Sequence, residues 1–219
     1  MGISTKKFLI VVLSLTLLFL VSCGDRPTGS GDVDNQINAL FDSIPNPTGL
    51  PTTDLTSATY TNKLTAKIEY VPQGEGESFP QEIYLEITKD TVNNKVTGGT
   101  ISDMYKDEHG NPQKSPYFTD GILSNDNNGK YFYRKVEEKV ENFEGGKKLT
   151  SKHIYYIEFT KPTDGKTTFL YINATSHKGD MPLDYDESNN PTGFEYVNYG
   201  NKITCSGDLI EEVQSGSGN

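Results

Sequence analysis

From about Thr59 to Val213, apolar and polar residues alternate with period two. Leu64, Ala66, Ile68 and Tyr70 alternate with Thr65, Lys67 and Glu69, and Ile83, Leu85 and Ile87 with Tyr84 and Glu86. Tyr155, Ile157 and Phe159 alternate with Tyr156 and Glu158, and Leu170, Ile172 and Ala174 with Phe169, Tyr171 and Asn173. A period of two puts successive side chains on opposite faces of a pleated strand, so each run predicts a half-buried antiparallel strand. Turn-forming clusters separate the runs: Gly74-Glu75-Gly76, Asn93-Asn94, His109-Gly110-Asn111-Pro112, Asn125-Asp126-Asn127-Asn128-Gly129, Gly145-Gly146 and Pro162-Thr163-Asp164-Gly165. Segments 130–142, 148–160 and 166–175 follow one another across the last two of these turns, which predicts a three-stranded meander.

The expected fold is therefore all-β, an antiparallel meander of about eight or nine strands. The long consecutive hairpins slightly favour a lipocalin-like barrel over a two-sheet sandwich. Leu64, Ile68, Ile83, Leu85, Ile87, Ile157, Phe159, Leu170 and Ile172 are expected to share one core. The charged run Arg134–Glu141 reads as a solvated sheet face, an edge strand guarded by charge, or strand ends projecting past the core.

Before the strands the period changes. Val33, Ile37, Leu40, Phe41 and Ile44 form one apolar stripe at helical spacing, with Asp32 as the expected N-cap and Pro45 as the stop. Twelve residues are marginal as a free helix, so the stripe is expected to dock on the strand domain. Residues 24–32 read as a flexible tether rich in Gly, Pro and Ser, and residues 45–57 as a second linker.

The N-terminus carries the most specific signal. Lys6 and Lys7 precede the mostly apolar run Phe8–Val21, which suits a signal-peptide core and is short of the roughly 20 residues a membrane span needs. The run ends in Leu20-Val21-Ser22-Cys23-Gly24. This resembles the lipobox of bacterial lipoproteins, with Leu at −3, a small residue at −1 and Cys at +1. The resemblance implies that Cys23 receives a diacylglycerol, that signal peptidase II cuts before it, and that the new amine is acylated. It covers about the first tenth of the chain. Gly24 in place of Asp after the cysteine leans, by the same resemblance, toward the outer membrane. The expected organisation is a signal peptide over 1–22, acylated Cys23 with tether and helix over 23–57, a β-domain over 58–213 and a disordered tail over 214–219.

Composition narrows the picture. Thirty Asp and Glu face 20 Lys and Arg, a formal net charge of −10, which argues against a nucleic-acid partner. Without residues 1–22 the chain keeps 18 basic and 30 acidic side chains, a net −12, so anionic headgroups would repel it. Membrane attachment would then rest on the lipid, for which two or more acyl chains suffice. Thirteen Tyr and ten Phe are too many aromatics for a disordered acidic chain. With Cys23 as a thioether, Cys205 has no intramolecular partner and reads as a small buried hydrophobe.

Catalytic signatures are scarce, which leans against an enzyme. The chain has neither Gly-x-Ser-x-Gly nor His-Glu-x-x-His, and Gly165-Lys166-Thr167 sits in a hairpin turn with Thr160 where a phosphate loop needs Gly. His109, His153 and His177 fall in three separate segments. Asn173-Ala174-Thr175 matches a glycosylation sequon within strand sequence. Residues 184–195 resemble an EF-hand-type loop, with Asp184, Asp186, Ser188, Asn190 and Glu195 as candidate calcium ligands. They depart from it where Asn189 replaces Gly and Pro191 an aliphatic residue. Tyr131, Tyr133, Tyr156 and Tyr171 recur on the strands and are the candidate binding residues, since Tyr offers large contact area at low entropic cost. The functional expectation is a lipid-anchored envelope protein that binds a macromolecule on a sheet face or a small apolar ligand inside a barrel, with no required cofactor. An envelope hydrolase and a structural or antigenic coat protein are the alternatives.

Overall fold

The computed structural model describes residues 30–92, 95–96, 101–106, 112–115, 123–126 and 128–212. The signal segment 1–22, Cys23, the rest of the tether up to residue 29, the Asn93-Asn94 turn, His109 and the tail 214–219 lie outside the described residues. Among the described residues one α-helix, α1 (Ser30–Asp42), precedes an antiparallel β-fold. The strands are β1 (Leu50–Pro51), β2 (Ala58–Val71), β3 (Gly74–Ile87), β4 (Lys89–Asp90), β5 (Lys95–Val96), β6 (Ile101–Lys106), β7 (Pro112–Ser115), β8 (Ser124–Asn125), β9 (Lys130–Asn142), β10 (Lys148–Thr160), β11 (Lys166–Pro182) and β12 (Phe194–Glu211).

Eight of them form one sheet in the order β1-β8-β9-β10-β11-β12-β2-β3. The expected meander 130–142, 148–160, 166–175 is present as β9–β10–β11, with β11 running on to Pro182. Its second turn places Asp164 and Gly165 at φ 52° and 71°, the left-handed pair of a two-residue hairpin whose twist matches that of the flanking strands. The early hairpin β2–β3 joins the late strands through β2 and β12, with Ile68 opposite Ile203 and Ala66 opposite Cys205. The sheet is not closed; β1 and β3 are its two ends.

The expectation of a single core is corrected. Ile83, Leu85, Ile87, Ile157 and Phe159 share a cluster with Tyr60, Ala66, Tyr131, Tyr133, Phe169, Tyr171, Cys205 and Leu209. Ile172 belongs to a second cluster with Phe132, Ile154, Tyr156 and Ala174, and Leu170 packs against it. The reason is local: β11 carries apolar residues at both parities, Phe169 and Tyr171 on one face, Leu170 and Ile172 on the other. A strand of that kind is buried on both sides, whereas β2 and β3 bury one.

The stripe of α1 covers the second face. Val33, Ile37, Leu40, Phe41 and Ile44 are all buried in the cluster that holds Ile154, Tyr156, Ile172 and Ala174. The helix starts at Ser30, so Asp32 lies in its first turn rather than at the cap, and it ends at Asp42, ahead of Pro45. Polar contacts tie it down at both ends: Lys178 Nζ and Asn198 Nδ2 donate to the Asp34 carboxylate at 2.6 and 2.9 Å, and Lys202 Nζ to Ser43 Oγ at 3.1 Å.

Residues 45–57 are a packed strap rather than a linker. Leu50 and Pro51 pair with β8, the Thr52 amide donates to the Leu123 carbonyl at 3.0 Å, and Thr52 and Leu55 are buried. The charged run on β9 is an edge. Along β9, strand β8 pairs with Tyr131 and Phe132 alone, and from Arg134 onward the described residues place no strand on the outer side of β9. Alternating charges along such an edge discourage pairing with another chain. Lys135–Glu137 and Lys139–Glu141 ion pairs of 2.7 and 2.6 Å lie along it.

Candidate functional site

Cross-strand register builds a polar and aromatic patch on the face that, nearer the other strand ends, carries Ile157 and Phe159. Directly opposed residues of an antiparallel ladder point to the same side. One row therefore runs Glu137–His153–Thr175–Asn201–Tyr70 across β9, β10, β11, β12 and β2. The row above it is Lys139–Ser151–His177–Tyr199, and the row below, next to the core, is Lys135–Tyr155–Asn173–Ile203–Ile68. His153, Tyr155, Asn173, Thr175, His177, Tyr199 and Asn201 are half-buried and Ser151 is buried.

The two histidines, scattered in sequence, are side by side here. Their rings meet nearly edge to face with centroids 6.0 Å apart. Each makes a hydrogen bond through Nδ1 to the hydroxyl opposite it, His177 with Ser151 Oγ at 2.9 Å and His153 with Thr175 Oγ1 at 3.3 Å. The His177 ring packs on Tyr199 at 5.3 Å, and His153 stacks with Tyr155 at 6.2 Å. Burial, followed by the neighbouring His153, pushes His177 down to about 4, and burial also lowers His153. Both imidazoles are thus neutral at pH 7 and able to donate and accept.

Ser151 and His177 place a hydroxyl beside an imidazole, the adjacency a nucleophile and its base require. The remaining parts of such machinery are absent among the described residues: no carboxylate hydrogen-bonds the His177 ring, and a base held near 4 is weak at neutral pH. Hydrogen bonding and stacking are what the patch offers. The Asn173 side-chain oxygen adds to this, being buried without a hydrogen-bond partner. An acceptor in that condition is costly unless something donates to it. Sequence reasoning missed this grouping because His153 and His177 meet only through the β10–β11 register, on diagonal positions of neighbouring pairs; their similar distances from the Asp164-Gly165 turn were the signal available.

The four candidate tyrosines are placed differently. Tyr131, Tyr133 and Tyr171 are buried in the first core and Tyr156 in the second, so they fill the interior rather than surface a binding face. Tyr131 stacks on Phe159 at 5.4 Å, and the Tyr156 hydroxyl donates to Glu158.

The candidate calcium ligands are not assembled as a cage; the described residues hold no group of three or more His, Cys, Asp or Glu positioned for a metal ion. The 184–195 segment is ordered by its own hydrogen bonds. The Asp186 carboxylate accepts from the Ser188 and Asn190 amides at 2.9 and 2.8 Å, while Asn189 takes φ 65°. Those amides, above all that of Asn190, hold the Asp186 carboxyl below its usual range. Asp184 caps the Tyr185 amide at 2.8 Å, and Glu195 sits in the β12 ladder opposite Met181. Cys205 is buried and free, and burial pushes its thiol up to about 11, which makes it inert. No described helix is long and apolar enough to cross a membrane.

No family model, no curated protein and no solved structure matches this chain.

Proposed function

We propose that this chain is a lipid-anchored protein of the bacterial envelope, favouring the outer membrane, whose β-domain binds a macromolecular partner through the His153–His177–Tyr199 patch. The observation that carries the binding reading is that patch: three registered rows of His, Tyr, Ser, Thr and Asn on one sheet face, with the Asn173 oxygen buried and unpartnered. Half-buried aromatics with hydroxyl and amide groups between them suit a hydrogen-bonding protein or polysaccharide surface. The rival of a small apolar ligand inside the fold is disfavoured by packing, because Tyr131, Tyr156, Phe159 and Phe169 already occupy the interior.

The anchor reading rests on Leu20-Val21-Ser22-Cys23. The first described helical residue, Ser30, follows Cys23 by seven residues, which reach at most about 25 Å when fully extended. An acylated Cys23 would thus keep the patch close to the bilayer it is anchored in.

The test uses the mature protein and isolated envelope fractions: peptidoglycan, outer-membrane vesicles and soluble envelope proteins. Wild type should retain one fraction, and Tyr199→Ala should lose it at unchanged circular dichroism. Cys23→Ala should block acylation and processing, leaving a chain that retains residues 1–22 and carries no acyl chain by mass spectrometry. Retention of no fraction, or equal retention by Tyr199→Ala, overturns the binding reading, and a tightly held, normally processed Cys23→Ala chain overturns the anchor.

A further inference from the structure

On the opposite face of the sheet, where the strap crosses the end of β9, Asn46, Pro47, Thr48, Gly49, Ser124, Phe132 and Arg134 line a cleft of about 390 Å³. That size lies in the range of small-ligand sites. The chain holds two arginines, Arg26 and Arg134, and Arg134 is the one in the β-domain. Its Nε is buried and has no hydrogen-bond partner.

A guanidinium is charged at every accessible pH and offers a planar fork of donors that fits carboxylates and phosphates. Leaving such a donor buried without an acceptor is unfavourable in proportion to its charge. In a chain of net charge −10 an ion pair would be easy to supply, yet among the described residues none that lines the cleft is acidic. The acidic side chains that β9 and β10 place on this face within the ladder, Glu138 and Glu158, are already engaged. Glu158 takes Lys130 at 2.6 Å and the Tyr156 hydroxyl, and Glu138 takes Lys152 at 3.1 Å.

The rest of the lining complements an anion. Thr48 and Ser124 carry hydroxyls and Asn46 an amide, all able to donate. Gly49 lets the strap come close enough to form the cleft, since a Cβ there would stand 2.2 Å from the Asn125 carbonyl oxygen and 2.9 Å from the Phe132 ring. Phe132 gives the cleft an apolar wall beside the charge.

We infer that this cleft binds an oxyanion, the carboxylate or phosphate group of a small ligand, seated on the Arg134 guanidinium and flanked by Thr48 and Ser124. It lies on the face away from the His153–His177 patch and stands independently of the binding role proposed for that patch.

With two arginines in the chain, the side-chain Nε–Hε signals of ¹⁵N-labelled mature protein are assigned by a single Arg134→Lys substitution. Inorganic phosphate and acetate are titrated separately, each against sodium chloride at matched ionic strength. The expected result is a saturable shift of the Arg134 signal with one anion or both, and no shift of Arg26. The backbone amides of Thr48 and Ser124 should move with it in wild type and stay still in Arg134→Gln, at an unchanged melting temperature. A response to phosphate alone identifies a phosphate group, and one to acetate alone a carboxylate. The inference is overturned if neither anion moves the Arg134 signal beyond chloride, if Arg26 shifts in parallel, or if Arg134→Gln responds as wild type does.

Discussion

The Tyr131 hydroxyl donates to Asp54 Oδ2 at 2.8 Å, tying the strap to the first long strand of the meander across 77 residues of sequence. Asp54 also accepts from the Thr52 hydroxyl and faces Lys161 Nζ at 3.6 Å. The Thr52 bond above all, then Tyr131, the Asp54 amide and Lys161, outweigh partial burial and hold the Asp54 carboxyl below its usual range. A folded carboxyl below its unfolded value adds stability above the ordinary carboxylate range, lost as pH falls through the folded value.

Melting curves of Asp54→Asn and wild type should therefore differ most at neutral pH and converge below about pH 4. Tyr131→Phe should cost about 1 kcal/mol at neutral pH. From the alkaline side, burial followed by Asp54 pushes Tyr131 up to about 12. A raised tyrosine favours folding below its unfolded value near 10 and loses that support as pH climbs toward about 12. Wild type should lose melting temperature in that window more steeply than Tyr131→Phe.

His177 predicts a second pH dependence. Its folded value near 4 lies below the unfolded one of 6.5, so the unfolded chain binds the proton more readily between them. Stability should be complete above 6.5 and fall as pH drops toward 4. The slope of melting temperature against pH in this interval should flatten in His177→Gln, and an equal slope in both proteins would contradict the buried, neutral ring.

Burial of Leu85 offers a test of register. Leu85 is fully buried, while Glu82 is exposed on the other face of β3. Leu85→Ala should cost about 2–5 kcal/mol, and Leu85→Asp should unfold the domain, because an unpaired buried carboxylate costs several kcal/mol. Glu82→Ala should change stability by less than about 0.5 kcal/mol. A slip of one residue would reverse the ranking, as urea titration of the three variants would show.

For α1, packing should dominate over charge. Phe41 is buried against the sheet with Lys152 Nζ over its ring at 5.3 Å, and Phe41→Ala should cost about 3–5 kcal/mol. Asp34→Ala removes the exposed Lys178 pair and should shift the melting temperature far less. Comparable effects would mean that the helix is held by its ion pair.

Local pattern was sufficient for the long meander strands and the helix. The 130–142 and 148–160 strands were legible to the residue, since Gly145-Gly146 and the Pro162–Gly165 turn bound long alternating runs. The stripe Val33–Ile44 read directly as an amphipathic helix. The strap misread as a linker because its Pro, Thr and Gly residues carry no period; Thr52 and Leu55 are buried by partners far along the chain. That the candidate tyrosines lie in the two cores was not legible for a related cause, as Tyr suits both a binding face and a sheet interior.

The sequence by itself determined the antiparallel strands, the helix with its buried stripe, and a lipobox-like N-terminus, because each is written in spacings of a few residues. Tertiary structure alone decided that β2 closes onto β12, that β11 is buried on both faces, and that His153 meets His177. It also decided that Arg134 stands unpaired at Nε in a cleft beneath the strap. These depend on register and on contacts between residues far apart in the chain, and a period-two pattern states which side a residue faces without stating what it will meet there.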